Sequence, residues 1–283
     1  MTNTENKNEN VSEEAKKLVE LIKQKTAMTA YKLEIQKDSK PGLFDSKFGG
    51  MPYWDMSKEY PTDLQGEKMI LLAQLNFTEA QLDDERLPKQ GMLQFFIPSD
   101  DDVFGADFDE PDSQSSFRVI YHENIDTSLT KEQIDSLQIP NSEDEYTPVC
   151  IEAAVRFKKT TAYMSAECAD FDKVFRQVVL EVSATDIGSA TAYKYLSEDD
   201  NDYLYDELCE TGHWVLGYPF FTQYDPREDT SYYDTLLFQM DSDMIDGQDY
   251  VIWGDCGVGN FFINSEALAK KDFSKVMYNW DCC

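Results

Sequence analysis

The segment Asp255-Cys256-Gly257 is where this sequence could carry nucleophilic chemistry. A reactive cysteine needs a base that removes its proton and donors that bind an oxyanion. His213 and the backbone N–H groups of a glycine-rich turn are the available candidates. The same segment also fits a tight connection between two strands, in which Gly257 and Gly259 permit unusual backbone angles. We favour the connection, and a cysteine-dependent hydrolase is an alternative.

Arg227 is the only Lys or Arg between residues 195 and 269, a stretch that holds seventeen acidic residues. A buried guanidinium requires either a carboxylate partner or an anionic ligand, because an unpaired buried charge is very costly. The surrounding acids favour a structural ion pair, with Asp234 and Asp241 as the expected partners. An anionic ligand is the alternative.

Two glutamines occupy apolar segments at matching places, Gln74 in MILLAQL and Gln239 in TLLFQM. A buried amide without partners costs about 1–3 kcal/mol, so each must either bridge to a neighbouring loop, which we favour, or contact a ligand. Trp54 and Trp253 lie beside glycine-rich loops, where aromatic rings either belong to the core or line a pocket. The residues predicted to bind a ligand are therefore Trp54, Gln74, Arg227, Gln239, Trp253 and Asp255.

Asp241, Asp243, Asp246 and Gly247 resemble half of a calcium-binding loop. An EF-hand would have its third acid one place earlier and a glutamate at its twelfth position, so this segment does not match. The six cysteines contain no CxxC pair and only two histidines accompany them, which argues against a zinc site. The usual nucleotide-binding loops are also missing. We therefore expect no metal and no cofactor, and we expect the cysteines to be reduced thiols that are mostly buried.

The charge of the chain is strongly negative: 55 Asp and Glu residues stand against 25 Lys and Arg, a formal net charge of −30. Such a surface repels nucleic-acid phosphates and anionic lipids. A second base-free stretch, residues 90–117, holds seven acids. We favour solubility as the reason for this charge, and a docking surface for a basic protein is the alternative. A carboxylate-dependent hydrolase is a further alternative, although no pair of acids stands out.

The composition is that of a folded protein, with 41% hydrophobic and 13% aromatic residues. No apolar run approaches the roughly 20 residues that a membrane span needs. The first residues, MTNTENKNEN, lack the apolar segment of a secretory signal. We therefore expect a cytoplasmic protein that binds neither nucleic acid nor a membrane.

Apolar residues at helical spacing predict a helix that begins after Ser12 and ends near Lys25. Further helices are predicted at 169–182, at 202–209 and, capped by Ser265, at 267–273. Apolar runs and alternating patterns predict strands. These lie at 31–35, 69–75, 92–97, 117–121, 149–157, 235–240, 250–253, 260–263 and 276–279.

Three blocks recur in the same order in the two halves of the chain: GGMPYW, LLAQL and LQFFI, then LGYPFF, LLFQM and GNFFI. The proline and the last isoleucine are 45 positions apart in the first half and 44 in the second. These blocks predict an α+β, β-rich fold with an internal duplication of two related antiparallel β units and a few short helices. The predicted parts of one compact unit are a polar tail and amphipathic helix at 1–28, a first β-rich half at 29–160, and helices plus a second β-rich half at 161–283.

Seven motifs, in order from about residue 30 to the C-terminus, resemble those of the YwqG-like family of bacterial proteins of unknown function. They are SKFGGMPYW (46–54), MILLAQLNF (69–77), GMLQFFIPSDDD (91–102), LGYPFFTQYDPR (216–227), YDTLLFQMDSD (233–243), VIWGDCGVGNFFI (251–263) and VMYNWDCC (276–283). The resemblance implies the duplicated YwqG-like fold. It implies no activity, because the family is uncharacterised, and it implies a gene context among bacterial toxin–immunity loci.

These observations favour a non-enzymatic cytoplasmic binding protein. Its most concrete form is an acidic, immunity-type protein that neutralises a basic toxin, since electrostatic steering speeds the meeting of oppositely charged proteins. One alternative is a protein that binds a small molecule or peptide of unknown identity in the cleft between the two halves. The other is a cysteine- or carboxylate-dependent hydrolase.

Overall fold

The structure, a computed structural model, describes residues 10–140 and 146–283, which form twelve strands and seven helical segments. The strands are β1 (Met28–Ile35), β2 (Lys47–Phe48), β3 (Ile70–Asn76), β4 (Met92–Ile97), β5 (Arg118–His122), β6 (Ala153–Ala162), β7 (His213–Val215), β8 (Thr235–Asp241), β9 (Asp243–Ile245), β10 (Gln248–Val251), β11 (Val258–Ile263) and β12 (Val276–Asp281). The helices are α1 (Glu13–Thr26), α2 (Phe77–Ala80), α3 (Lys131–Asp135), α4 (Phe171–Ser183), α5 (Ala192–Tyr195), α6 (Glu198–Leu208) and α7 (Ser265–Ala269).

Ten strands form one antiparallel sheet in the order β12-β11-β8-β7-β1-β6-β2-β3-β4-β5, and β9 and β10 form a separate hairpin. β1 therefore lies in the middle of the sheet, between β6 and β7. Strands β4 and β11 are buried along their whole length, which explains why most of their residues are apolar on both faces of the sheet. The fold is β-rich, with few helices.

The two ends of this sheet approach one another, so that the sheet is nearly closed. The Phe117 ring, next to β5, lies 5.1 Å from the Tyr278 ring of β12. Gln114 Nε2 donates a hydrogen bond to the carbonyl of Phe273 at 2.7 Å. The backbone N–H of Tyr278 donates to the carbonyl of Pro111 at 2.9 Å. The acid-rich loop between β4 and β5 therefore covers the outer edge of β12, which would otherwise present unpaired backbone groups.

The first helix begins as its sequence predicts, because the Ser12 side chain accepts a hydrogen bond from the Ala15 N–H at 3.0 Å. The backbone N–H of Ser12 donates to Asp200 in α6 at 2.7 Å, which ties the two helices together. The apolar face of α1 packs against α4 and α6 in a core of its own, separate from the core of the sheet. No helix in the described ranges has the length and apolar character needed to cross a membrane.

Most predicted strands and helices are confirmed, but two helix starts are wrong. α6 begins at Glu198, four residues before its predicted start, and α7 spans Ser265–Ala269 rather than 267–273. α7 is capped by Asn264, whose side chain accepts hydrogen bonds from the N–H groups of Glu266 and Ala267. Ser265 is instead the first helical residue, and its side chain donates to Asp234 at 2.6 Å. Asn264 and Ser265 are adjacent and both residue types are common N-caps, so the sequence pattern does not show which of the two caps the helix.

The strand predicted at 149–157 starts later, at Ala153, and continues to Ala162. Val149 instead forms an isolated bridge with Val251, which attaches the β9–β10 hairpin to the rest of the fold. Strands β2 and β7 were not predicted, since they are only two and three residues long and carry no readable alternation.

The blocks that suggest a duplication occupy corresponding places in the sheet. β3 and β8 are each third from an end of the sheet, and β4 and β11 are each second. The register of both pairs shifts at one point, past Leu72 in β3 and past Leu237 in β8. The duplication itself stays a prediction.

Candidate functional site

Gln74 lies in β3 with no exposed surface, and its amide is fully engaged by the loop before β3. Its Oε1 accepts the backbone N–H of Tyr53 at 2.8 Å. Its Nε2 donates to the carbonyls of Leu43 and Asp45, each at 3.0 Å. Gln94 of β4 adds a hydrogen bond to the same Oε1 at 2.8 Å. The side chain therefore anchors the loop 43–53 onto the sheet.

Gln239 has the same arrangement in β8, also with no exposed surface. Its Oε1 accepts the backbone N–H of Phe220 at 2.8 Å, and its Nε2 donates to the carbonyls of Glu210 and Gly212 at 3.0 and 2.9 Å. Asn260 of β11 donates to the carbonyl of Phe220 at 2.9 Å, as Gln94 donates to that of Tyr53 at 2.7 Å. Each glutamine thus bridges to a loop of its own half.

His122 extends the polar network of the first half. Its Nε2 donates to Gln94 Oε1 at 3.0 Å, since an amide oxygen can only accept. Its Nδ1 has no hydrogen-bond partner among the described residues. The ring is 2% exposed and meets the edges of Tyr53 and Trp54. Burial, and to a lesser degree the charge of Lys58, lowers the pKa of His122 from 6.5 to about 4.

Acid should therefore destabilise the fold through His122. Between pH 6.5 and about 4 the unfolded chain binds a proton at this imidazole and the folded chain does not, so stability falls as the pH falls through this window. Across this window the free energy of unfolding should fall by about 3 kcal/mol in total. Urea unfolding of the wild type and of His122→Gln, at about pH 7 and about pH 4.5, measures it. We expect the variant to lose less stability on acidification, and an equal loss in both proteins would contradict the assignment.

The two predicted tryptophans are core residues by their contacts. Trp54 is 2% exposed, and its Nε1 donates to the carbonyl of Lys58 at 3.1 Å. Trp253 has no exposed surface and packs against Trp280 and the ring of Phe104. Its Nε1 has no hydrogen-bond partner in the described part of the chain.

The segment around Cys256 is a tight turn that leads into β11. The backbone N–H of Gly257 donates to the carbonyl of Trp253 at 2.7 Å, and Asp255 and Cys256 are exposed. The expectation that Gly257 and Gly259 supply unusual backbone angles is wrong, because neither has a positive φ. Their neighbours come too close for a side chain instead: an added Cβ would lie 2.1 Å from the carbonyl oxygen of Asp281 and 2.5 Å from the Trp253 ring, respectively.

His213, the base considered for Cys256, is held by other groups. Its Nδ1 accepts the backbone N–H of Asp241 at 3.1 Å, so the proton lies on Nε2, which faces Asp243 at 3.3 Å. This hydrogen bond lowers the pKa of Asp243. The imidazole thus joins β7 to the end of β8 and the start of β9.

Arg227 forms a buried ion pair, but its partner is Asp225 rather than Asp234 or Asp241. Nε and Nη2 donate to the two carboxylate oxygens at 2.9 and 2.6 Å, and the two side chains are 9% and 2% exposed. Asp234 is bonded to Ser265, and Asp241 accepts the N–H of Gly212. The turn at Pro226 places the carboxylate of Asp225 beside the guanidinium of Arg227. Arg227 therefore needs no partner from a distant part of the chain.

A second arginine, Arg86, forms the same local pair with Asp84, at 2.9 Å for Nε and 2.6 Å for Nη2. Arg86 and Arg227 line one cavity of about 290 Å³, together with Cys168 and Tyr218. Burial raises the pKa of the Cys168 thiol to about 12, which makes it a poor nucleophile at neutral pH. Arg227 is the one predicted ligand-binding residue that lines this cavity; the structure does not bring the six together there.

The segment that resembles half a calcium loop is a β-hairpin. Asp243 lies in β9, and Asp246 and Gly247 form the turn to β10 with φ values of 53° and 80°. A positive φ at both positions is typical of the type I′ turn that joins two strands. No group of three or more His, Cys, Asp or Glu side chains that could hold a metal ion occurs in the described ranges. The expectation of mostly buried cysteines is wrong, since of the six only Cys168 is buried.

An acidic groove of about 350 Å³ lies beside the acid-rich loop. Its carboxylates come from Asp63, Glu67, Asp100 and Asp101, and none of the described Lys or Arg residues lines it. Asp63 accepts the backbone N–H groups of residues 65 and 67, and Asp101 accepts those of residues 103 and 105. These two carboxylates are thereby fixed in position. Leu64, which is 71% exposed, lines the same groove.

A larger cavity, of about 670 Å³, contains a buried lysine that the sequence did not single out. Lys47 is 1% exposed and donates to the carbonyls of Gly42, at 3.0 Å, and Met51. The nearest carboxylate oxygen, of Glu152, is 3.8 Å from its Nζ. Burial lowers the pKa of Lys47 to about 8, although the charges of Glu152 and Asp45 raise it. Nothing in the motif SKFGG distinguishes this lysine from a surface residue.

The family of the chain emerges from comparison with known proteins. Among curated proteins, none matches this chain in sequence. The family model described as a domain of unknown function, DUF1963, matches residues 46–282. The matched range contains the acidic groove, both cavity-lining arginines, Lys47 and all six residues predicted to bind a ligand. The chain belongs to the DUF1963 family, whose function is unknown.

Proposed function

We propose that this protein is a non-enzymatic binding protein whose acidic groove docks a basic protein. The groove carries the proposal, because it is concave and lined by four carboxylates, with no lining base among the residues that the structure describes. A lysine or arginine side chain entering it would meet fixed carboxylates at Asp63 and Asp101, and its aliphatic part could contact Leu64. Charge complementarity of this kind also speeds association.

The most concrete form of this function is an immunity-type role in the cytoplasm of a bacterium. Toxins that attack nucleic acids need basic surfaces, since their substrates are polyanions. A protein with a net charge of −30 is suited to meet such a partner quickly. The resemblance to the YwqG-like family, with its toxin–immunity gene context, supports the same proposal.

Neutralising the groove should weaken the binding of a basic partner more than neutralising other acids does. Glu67→Gln with Asp100→Asn removes two groove charges, and Glu20→Gln with Glu59→Gln removes two exposed charges elsewhere. With the toxin encoded beside this gene as the probe, we expect the groove variant to bind about tenfold or more weakly than the control. Affinity should also fall steeply between about 50 and 200 mM salt. An equal loss of affinity in the groove variant and the control would show that the groove is not the docking site. Affinity that does not change with salt concentration would show the same.

A second candidate is the binding of a small molecule or peptide between the halves, at the cavity of Arg86 and Arg227. The supporting observation is that Arg86 Nη1 has no hydrogen-bond partner in the described part of the chain, which leaves a charged donor for a ligand. Thermal-shift screening of a metabolite panel against the wild type and Arg86→Gln tests this candidate. A shift that survives the substitution would place the ligand elsewhere.

The duplicated YwqG-like fold is part of the same proposal. In a duplicated chain, β1 to β5 correspond to β6, β7, β8, β11 and β12. This correspondence assigns β6 to the second repeat rather than to the first half predicted at 29–160. The first strand of each repeat, β1 or β6, then pairs with strands of the other repeat. The matched hydrogen bonds of Gln74 and Gln239, and of Gln94 and Asn260, support this correspondence.

A further inference from the structure

The cavity around Lys47 has the size and lining of a ligand site. Its volume of about 670 Å³ is in the range of small-molecule pockets, about 300–1,000 Å³. One wall is the segment from Gln36 to Met51, and another is the β9–β10 hairpin, through Gln248 and Tyr250. Apolar side chains line part of it, namely Leu43, Met51 and Ile151. An ion pair between Lys37 and Asp246 joins the hairpin turn to the first wall.

The charge of this lining is unlike that of the whole chain. Three lysines, Lys40, Lys47 and Lys131, line the cavity against two acids, Asp38 and Glu152. The chain as a whole carries 55 acids against 25 bases. The lining side chains of this cavity therefore carry one positive charge in excess, in a strongly acidic protein, which favours an anionic ligand.

Lys47 supplies a donor for such a ligand. An ammonium group has three N–H bonds, and two are taken by the carbonyls of Gly42 and Met51. In the described part of the chain, no acceptor lies within hydrogen-bond distance of the third, since Glu152 is at 3.8 Å. A purely structural role for Lys47, in which it holds the loop 42–51 in place, would explain its two hydrogen bonds to carbonyls. It would not explain why Lys40 and Lys131 also line the cavity.

We propose that this cavity binds a small organic anion, whose carboxylate or phosphate group accepts a hydrogen bond from Lys47 and whose apolar part lies against Leu43, Met51 and Ile151. Lys40 and Lys131, both exposed, add long-range attraction at the opening. The proposal does not depend on the acidic groove, which has no lining residue in common with this cavity.

Calorimetric titration with benzoate, phenyl phosphate and the neutral benzyl alcohol tests the site. We expect saturable binding of at least one of the two anions by the wild type, and affinity at least about tenfold weaker for benzyl alcohol and in Lys47→Met. Lys131→Gln should weaken binding, whereas the control Lys275→Gln should not, because Lys275 pairs with Asp112 and does not line the cavity. Binding of benzoate alone identifies a carboxylate site, and binding of phenyl phosphate alone identifies a phosphate site.

Three outcomes would overturn the proposal: no saturable binding of either anion, equal binding of benzyl alcohol, or unchanged binding in Lys47→Met. If Lys47→Met fails to fold, the pH dependence of anion affinity in the wild type tests the role of Lys47 instead. The charged groups that face Lys47 are Glu152, Asp45 and Lys131. Affinity should fall as the pH rises past about 8, where Lys47 loses its proton, and affinity that stays constant to about pH 9.5 would contradict its role.

Discussion

Replacing Gln74 with leucine is expected to lower the free energy of unfolding by about 4 kcal/mol, since three main-chain groups lose their partner at about 1–3 kcal/mol each. These groups are the N–H of Tyr53 and the carbonyls of Leu43 and Asp45. Leucine fills a similar volume, so the loss reflects the hydrogen bonds rather than a cavity. Urea unfolding followed by circular dichroism measures the change.

Gln239→Leu is the matched test in the second half. It removes the partner of the Phe220 N–H and of the carbonyls of Glu210 and Gly212, so we expect a similar loss. Gln65→Leu is the control, because Gln65 is exposed and its change should stay within about 0.5 kcal/mol. A loss of less than about 1 kcal/mol in Gln74→Leu would show that its amide does not hold the loop.

Asp225→Ala should cost about 3–5 kcal/mol, because it leaves a buried guanidinium without its carboxylate. The Arg227 side chain is only 9% exposed, and its face lies over the Phe262 ring at 4.5 Å, so little of the guanidinium is in contact with bulk solvent. The substitution also removes the acceptor of the Ala169 N–H. Thermal and urea unfolding of the purified variants measure the cost.

The Arg86–Asp84 pair provides an internal comparison of the same local geometry. Arg86 is 38% exposed, so its guanidinium can be hydrated when Asp84→Ala removes the partner. We expect a smaller loss there, nearer to that of surface pairs. Adding Arg227→Met to Asp225→Ala should restore part of the stability, since it removes the isolated charge. Equal losses at both aspartates would show that burial does not decide the cost.

The sequence identifies the long buried strands well. β4 matches its predicted range, and β3, β8 and β11 differ from theirs by one or two residues at one or both ends, because each is apolar along most of its length. The short strands β2 and β7 are formed by pairing with distant parts of the chain, namely β6 and β1, and a two- or three-residue segment carries no period of its own.

The candidate sites were less predictable, for a physical reason. A buried lysine such as Lys47, or a histidine such as His122, is defined by the carbonyls and rings that surround it, and these come from residues remote in sequence. The acidic groove likewise joins Asp63 to Asp100, from two different loops. The partner of Arg227 is predictable from the sequence in principle, since Asp-Pro-Arg is a local turn pattern that places Asp225 beside the guanidinium.

The central position of β1 has a consequence for synthesis on the ribosome. Its two neighbours in the sheet, β6 and β7, end at residues 162 and 215, whereas β1 itself ends at residue 35. A nascent chain therefore carries β1 without either ladder partner until more than half of the protein has been made. Because closing such long loops is slow, folding of the sheet should wait until β6 and β7 have been made, and a fragment that ends before β6 should not fold on its own.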